Sequence, residues 1–311
     1  MAKKKLTDIE LRIKHHIFPK IDYKSSKTVS YSQFSIYSTC PHRWYLTYVE
    51  NKAPYQANIH TIFGTAFHET LQQYIEVIYK ESRTSANKLD LENIFTERLK
   101  ENYKKEFEST KSHFSSSDEM REFFDDGVAI LDWIKKKNTV LFTIKNVKLL
   151  GIELPLIHKL SDGLYYKAFI DFALYDEDLD KVYIYDIKTS KGSWSDKQKK
   201  DDVKISQILL YKEYFSKQYG FDVEKINVEF FIVKRKIYED SEFPIPRVQI
   251  FKPASGKNKR KKTMDLFNKF IEDCFDNKGK PKIKQYEKNI GENSCKWCPF
   301  LDKPELCNRK I

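Results

Sequence analysis

Hydrophobic positions change period part-way along the chain, and the change divides it. Between Thr61 and Tyr79, Phe63, Phe67, Leu71, Tyr74 and Ile78 recur at three and four residues, the spacing of one face of an amphipathic helix. The same period covers about Leu91 to Phe107 and Glu119 to Lys136, and the Ser-rich stretch Ser109–Ser117 reads as the loop between them. Upstream, Phe34, Tyr37, Trp44, Leu46 and Tyr48 fit a helix over Tyr31–Val49 that breaks near Pro41, whose missing N–H restarts the turn; Cys40 sits at the break. After about residue 140 the pattern shortens to alternating runs at Lys145–Ile157, Leu164–Tyr175 and Lys181–Thr189, which predict strands. A helical pattern over Ile205–Gln218, strands near Ile226–Lys234 and Val248–Phe251, and a last helix ending near Phe275 complete the order. The pattern predicts an α/β protein in four stretches: a basic, weakly patterned arm outside the core at 1–29, a helical region at 30–140, a strand–hairpin–helix–strand core at 141–275, and a tail at 276–311.

Two of the predicted strands are interrupted by charge. Alternation in Lys167–Tyr175 puts Ile170, Phe172 and Leu174 on one face and Phe169, Asp171 and Ala173 on the other, so Asp171 stands in a largely apolar strand. In the next strand Val182, Ile184, Asp186 and Lys188 share a face. If the polar turn Asp176–Asp180 closes a symmetrical hairpin, Asp171 falls opposite Asp186, and opposed residues have Cβ atoms about 4.5–5.5 Å apart. Two carboxylates that close repel unless a cation lies between them, and their oxygens suit a hard ion such as Mg²⁺ or Mn²⁺. Lys188 would stand one pleat beyond, where an ammonium orients a water or neutralises charge developing on phosphorus. The same residues also fit a surface hairpin with a salt-bridged face.

Charge narrows the class of partner. Nine of the 56 basic residues are arginine, leaving 47 lysines, and the formal net charge is +11, a balance that favours polyanions and salt-sensitive phosphate contacts. The runs Lys3–Lys5 and Lys257, Lys259, Arg260, Lys261 and Lys262 are candidate DNA-backbone contacts, and Trp44 and Tyr45 are candidates for stacking bases; solvated surface and core packing are the plain alternatives. No apolar run approaches the ~18 residues of a membrane span and residues 1–20 lack the apolar segment of a signal peptide, so a cytoplasmic protein without membrane contact is expected, in the host cytoplasm if the chain is viral.

Three of the five cysteines, Cys295, Cys298 and Cys307, crowd the tail, and the Cys-x-x-Cys spacing lets two sulfurs converge on one metal. Cys274, in a helical pattern beside Phe275, reads as a packing residue.

Asp171, then Asp186-Ile-Lys-Thr, then Gln207 and Tyr211 one helical turn apart, with His68 earlier in Gly64-Thr-Ala-Phe-His, resembles the RecB-like branch of the PD-(D/E)xK nucleases over about Tyr31 to Cys307. The resemblance implies a restriction-endonuclease-like core, a central mixed sheet flanked by helices. It implies Mg²⁺ or Mn²⁺ on His68, Asp171, Asp186 and the Ile187 carbonyl, Lys188 as catalytic lysine, and Gln207 and Tyr211 supporting the site. Gly64 would let the helix approach closely enough for His68 to reach the metal, and Glu153 sits where relatives often carry an acid. Cys40 resembles the lone upstream cysteine of the iron–sulfur members, of the AddB and CRISPR-adaptation types, so Cys40, Cys295, Cys298 and Cys307 would hold a [4Fe–4S] cluster stapling the tail to the helical region; Zn²⁺ is the rival. The implied activity is that of a deoxyribonuclease, an exonuclease on DNA ends or single strands in replication, recombination or repair, with a helicase, polymerase or recombination partner. A catalytically silent iron–sulfur DNA-binding or scaffolding subunit and a CRISPR-adaptation nuclease are the alternatives, and RNA stays open as substrate.

Overall fold

The computed structural model of the chain describes residues 6–55, 57–238 and 243–308. In chain order its elements begin with α1 (Asp8–Lys14), β1 (Lys27–Val29), α2 (Tyr31–Thr39), α3 (Pro41–Trp44) and a π-helical turn at Tyr45–Val49. There follow α4 (Ile59–Lys80), α5 (Arg83–Asn87), α6 (Leu91–Thr110), α7 (Ser117–Lys136), α8 (Asn138–Leu141), β2 (Val147–Ser161), β3 (Leu164–Asp176) and β4 (Lys181–Ser190). The chain continues through α9 (Asp196–Lys199), α10 (Asp202–Tyr219), β5 (Ile226–Lys234), β6 (Val248–Phe251), α11 (Lys257–Cys274) and α12 (Glu292–Cys295). The long helices α4, α7 and α10 begin where side chains satisfy their first amides: Asn58 accepts from Thr61 N, Ser116 from Glu119 N, and Asp201 from Val203 N and Lys204 N. α10 ends at Gly220, which takes the left-handed conformation (φ 63°) that a side chain disfavours. The predicted break at Pro41 is present: Cys40 is extended (φ −160°) and Pro41 opens the next helical turn.

β3 organises a mixed sheet of order β1-β3-β4-β5-β6. One of its edges is covered throughout by antiparallel β2. The other is shared: β1 pairs in parallel with Leu164–Tyr166, and β4 pairs antiparallel with Phe172–Asp176. Residues 167–171 of that edge have no strand partner, so the sheet forks there. One core, with Ile184, Leu209 and Phe230, packs the α10 face; another, with Phe67, Ile130 and Phe231, packs the α4–α6–α7 face.

Several expectations are corrected by packing. The first 29 residues are not an arm outside the core, because Ile9 is buried at 2% exposure and β1 joins the sheet; Lys3–Lys5 lie outside the described residues. Strict alternation along β3 fails at Asp171: Ile170 joins the α10-face core and Phe172 the opposite one. The cause is shared with β2, where Leu154 and Ile152 part in the same way around Glu153, itself in the left-handed region (φ 48°). The basic run Lys257–Lys262 forms the first turns of α11.

The chain after α11 returns to the sheet at a crossing of two glycines with positive φ, Gly163 at the β2–β3 turn and Gly279. A Cβ at Gly163 would lie 2.5 Å from the Lys278 carbonyl oxygen. Strain and backbone overlap therefore add, and Gly163→Ala is expected to cost about 2–4 kcal/mol, read as a drop in thermal midpoint against wild type.

Candidate active site

Three acids line up across the sheet where it forks. The β3–β4 register runs through Phe172 opposite Tyr185, so its next position sets Asp171 opposite Asp186, as the symmetrical hairpin predicts. On the other side Ile152 pairs with Phe172 and Leu154 with Ile170, which sets Glu153 beside Asp171. The ladder opens at this row. In place of a strand partner, Ile187 N–H donates to Asp171 Oδ2 at 2.5 Å, a charge-assisted bond that fixes the carboxylate.

Helices on both faces reach the fork. From α4, His68 Nδ1 comes within 3.7 Å of Asp171 Oδ2. One turn later Gln72, buried to 5% exposure, donates from Nε2 to Glu153 Oε1 at 2.5 Å and to the Asp171 carbonyl oxygen at 3.3 Å. Sequence reasoning missed Gln72; its signal is a polar residue four after His68, beside an apolar stripe. From α10, Gln207 Nε2 donates to Tyr211 Oη at 2.9 Å, and the Tyr211 hydroxyl lies near enough to Asp186 to draw its pKa down. Gly64 contributes less than expected: a Cβ there would meet Thr189 Oγ1 at 3.5 Å, ordinary contact, so closeness of helix and sheet does not demand glycine.

The electrostatics favour a cation. Burial and the charge of Asp186 push the Asp171 pKa well above the carboxylate range, against the pull of Lys188 and the Ile187 amide. Asp186 is 1% exposed and its pKa is also raised by burial, with Lys188 and Tyr211 opposing. Burial, then the Lys188 charge, draws His68 down to about 4, so its imidazole is neutral at pH 7 and free to ligate. Lys188 Nζ does not stand one pleat away but folds back to 2.8 Å from Asp186 Oδ2, outside hydrogen-bond geometry, and that buried oxygen has no hydrogen-bond donor. Among the described residues no three His, Cys, Asp or Glu side chains are drawn up as a ready cage. The donor set nevertheless fits a hard divalent ion: paired buried carboxylates, an orphaned carboxylate oxygen and a neutral imidazole, with the Ile187 backbone in contact with His68.

The cysteines form a separate cluster. Cys40, Cys295, Cys298 and Cys307 line one enclosed cavity with Phe300 and Leu46. The tail is tied there by His42 N–H donating to the Glu287 carbonyl (3.0 Å) and Asn289 Nδ2 donating to the Thr39 carbonyl (2.8 Å). Cys274 stands apart, fully buried in the core.

The nucleic-acid candidates divide. Trp44 is 1% exposed among Tyr37, Phe270, Phe275 and Tyr286, so it is a core residue with no face for a base. Tyr45 stacks one face on Tyr286 and donates to Glu50. Arg260 is 5% exposed and bonded to Glu213 and Glu224, both at 2.7 Å, which removes it from the DNA-contact set. Lys259 and Lys262 both pair with Asp202; Lys257 and Lys261 are exposed.

Because Asp171 and Asp186 hold protons in the folded state to higher pH than when unfolded, the metal-free protein loses stability as pH rises above the ordinary carboxylate value. Asp171→Asn, which keeps the acceptor for Ile187 N–H, is expected to raise metal-free stability near neutral pH by about 1–2 kcal/mol and to flatten that fall. The same change should abolish any thermal shift on adding Mg²⁺, with melting curves in chelator and in Mg²⁺ across about pH 5–8 as the measurement.

Known proteins share this fold. The crystal structure of a protein from Eubacterium rectale, provisionally described as an exonuclease, superposes over 93% of this chain and 92% of its own with a TM-score of 0.50 at 12% identity, a likeness of fold alone. A second solved structure, of a protein designated SSO0001, aligns over 98% of this chain and 95% of its own at 12% identity, with a TM-score of 0.32 that carries no argument. No curated protein matches the sequence. The family described as the PD-(D/E)XK nuclease superfamily matches residues 28–303, nearly the whole chain and every acid of the fork, and the chain belongs to that superfamily.

Proposed function

We propose that this protein hydrolyses DNA phosphodiesters with Mg²⁺ or Mn²⁺, as an exonuclease of the RecB-like branch working on ends or single strands. The observation that carries this is the row Glu153, Asp171 and Asp186 across the open fork, with Lys188 against the orphaned oxygen of Asp186. Asp171, Asp186, His68 and the Ile187 carbonyl would hold the ion, with Glu153 beside them. When bound, it supplies Lewis acidity toward phosphate and water. Gln72 holds Glu153, the Ile187 amide holds Asp171, and Gln207 fixes the Tyr211 hydroxyl near Asp186, so the acids are placed before substrate arrives. Lys188, released from Asp186, places an ammonium where charge develops on the phosphate oxygens, and the neutral His68 adds no competing positive charge.

The four cysteines around one cavity support a metal–thiolate staple as a second element of the proposal, a [4Fe–4S] cluster with Zn²⁺ as the rival. Such bonds would join residue 40 to residues 295–307, a span of chain with little apolar content of its own at its C-terminal end. Anaerobically purified protein is expected to carry iron and a broad visible absorption band; zinc in colourless protein would keep the staple and replace the cluster.

Labelled linear and circular DNA, single- and double-stranded, incubated with Mg²⁺ or Mn²⁺, tests the activity. Wild type is expected to degrade linear substrates while sparing circles, and Asp186→Ala and Lys188→Ala should each lower the rate by about 10²-fold or more. Cleavage of closed circles would replace exonuclease with endonuclease. An absence of cleavage with either ion, together with wild-type DNA binding by both variants, would leave a binding subunit.

A further inference from the structure

The unpaired edge of β3 opens into a cleft of about 290 Å³ lined by Lys167, Phe169, Tyr31, Gln33, Gln207 and Tyr211. Its floor includes the hydrogen-bonded Gln207–Tyr211 pair, and the Tyr211 hydroxyl feels the charges of Asp186 and Asp171, so the cleft adjoins the acids. Its wall carries an unusual residue for a central strand: Phe169, two residues before Asp171, is 43% exposed while Ile170 and Phe172 are buried. Lys167 Nζ lies 5.5 Å from the Phe169 ring centre and 5.4 Å from that of Tyr23, itself 61% exposed, and bonds to Tyr23 Oη at 3.1 Å. Lys167 makes no ion pair with any acid among the described residues, whereas Lys259, Lys262 and Arg260 of the basic run all do.

An exposed flat ring beside an unneutralised ammonium is the pairing that holds single-stranded nucleic acid, the ring taking any base by stacking and the cation taking the phosphate. The cleft's volume is at the small end of single-ligand sites, which suits one unpaired nucleotide and not a duplex. We infer that this cleft is the seat of the unpaired nucleotide next to the phosphate being cut, with Phe169 stacking its base and Lys167 holding the neighbouring phosphate. The site then selects frayed ends or single strands, because a base paired inside a duplex is stacked on both faces and cannot swing into the cleft. This rests on the nuclease function proposed above and names the residues by which it would hold a single strand.

Fluorescence anisotropy with a labelled oligothymidylate and with a blunt-ended hairpin duplex, in Ca²⁺ in place of Mg²⁺ and with strand integrity checked on a gel, reads the cleft directly. Phe169→Ala is expected to weaken single-strand binding about 5- to 100-fold, Phe169→Trp to restore it, and duplex binding to change little in either. Lys167→Gln should lower the salt dependence of single-strand binding by about one phosphate contact. Since Phe169 is half-exposed, unchanged melting curves are expected for all three variants. Equal losses for oligothymidylate and duplex, or no loss with Phe169→Ala, would overturn the inference. Cleavage of the same oligothymidylate by wild type with Mg²⁺ or Mn²⁺ is scored separately: its absence removes the nuclease function, while the binding comparison decides the cleft either way.

Discussion

The bond from Ile187 N–H to Asp171 Oδ2 is the constraint on which the site depends. Backbone amides in a sheet interior must find acceptors, and here the neighbouring strand has already veered away. A carboxylate fills the gap left by a carbonyl. One residue thus closes the end of the β3–β4 ladder and leaves its second oxygen and its charge at the mouth of an opening. The opening exists because β1 and β4 share one edge of β3 without meeting, and any side chain from either helical layer can enter it.

Holding Asp186 buried and Asp171 partly buried, one beside the other, costs stability, and the fold offsets that cost locally. Lys188 lies against Asp186, the Tyr211 hydroxyl stands near it, Gln72 holds Glu153, and the Ile187 amide holds Asp171. None of these cancels the burial that keeps both aspartate pKa values high, to which the charge of Asp186 adds at Asp171. What remains is a site poised for a cation, with acids whose geometry is set from both faces and whose charge is only partly compensated. Conversely, the basic residues of the first turns of α11 are largely neutralised by Asp202, Glu213 and Glu224, which also relieves the clash of positive charge with a helix N-terminus. Positive charge in the sequence is thus a poor guide to positive charge available at the surface.

The helical region and the tail meet the core by different means. α4 carries an apolar stripe from Phe63 to Ile78 that packs against the sheet and so delivers His68 and Gln72 at fixed height. The tail has few apolar residues and is fastened by backbone contacts at residues 39–42, by the Gly163–Gly279 crossing and by the convergence of four thiols.

Local rules in the sequence were enough for the order of the main helices and strands from α4 to α11, the break at Cys40–Pro41 and the hairpin register that brings Asp171 level with Asp186. Helix and strand differ in period, proline lacks an N–H, and the Asp176–Asp180 turn, in which Asp176 accepts from the amides of Asp178 and Leu179, fixes the register of a hairpin by itself. What the tertiary structure decided is everything that needs two distant segments. Period-2 alternation could not foresee that Ile170 and Phe172 part company, because the irregularity at Glu153 and Asp171 runs through two strands and is held by Gln72 from a helix some 80 residues earlier. Nor could composition tell that Trp44 and Arg260 are inside while Phe169 is outside, since burial depends on which surfaces meet, and a chain's pattern records only that some surface must.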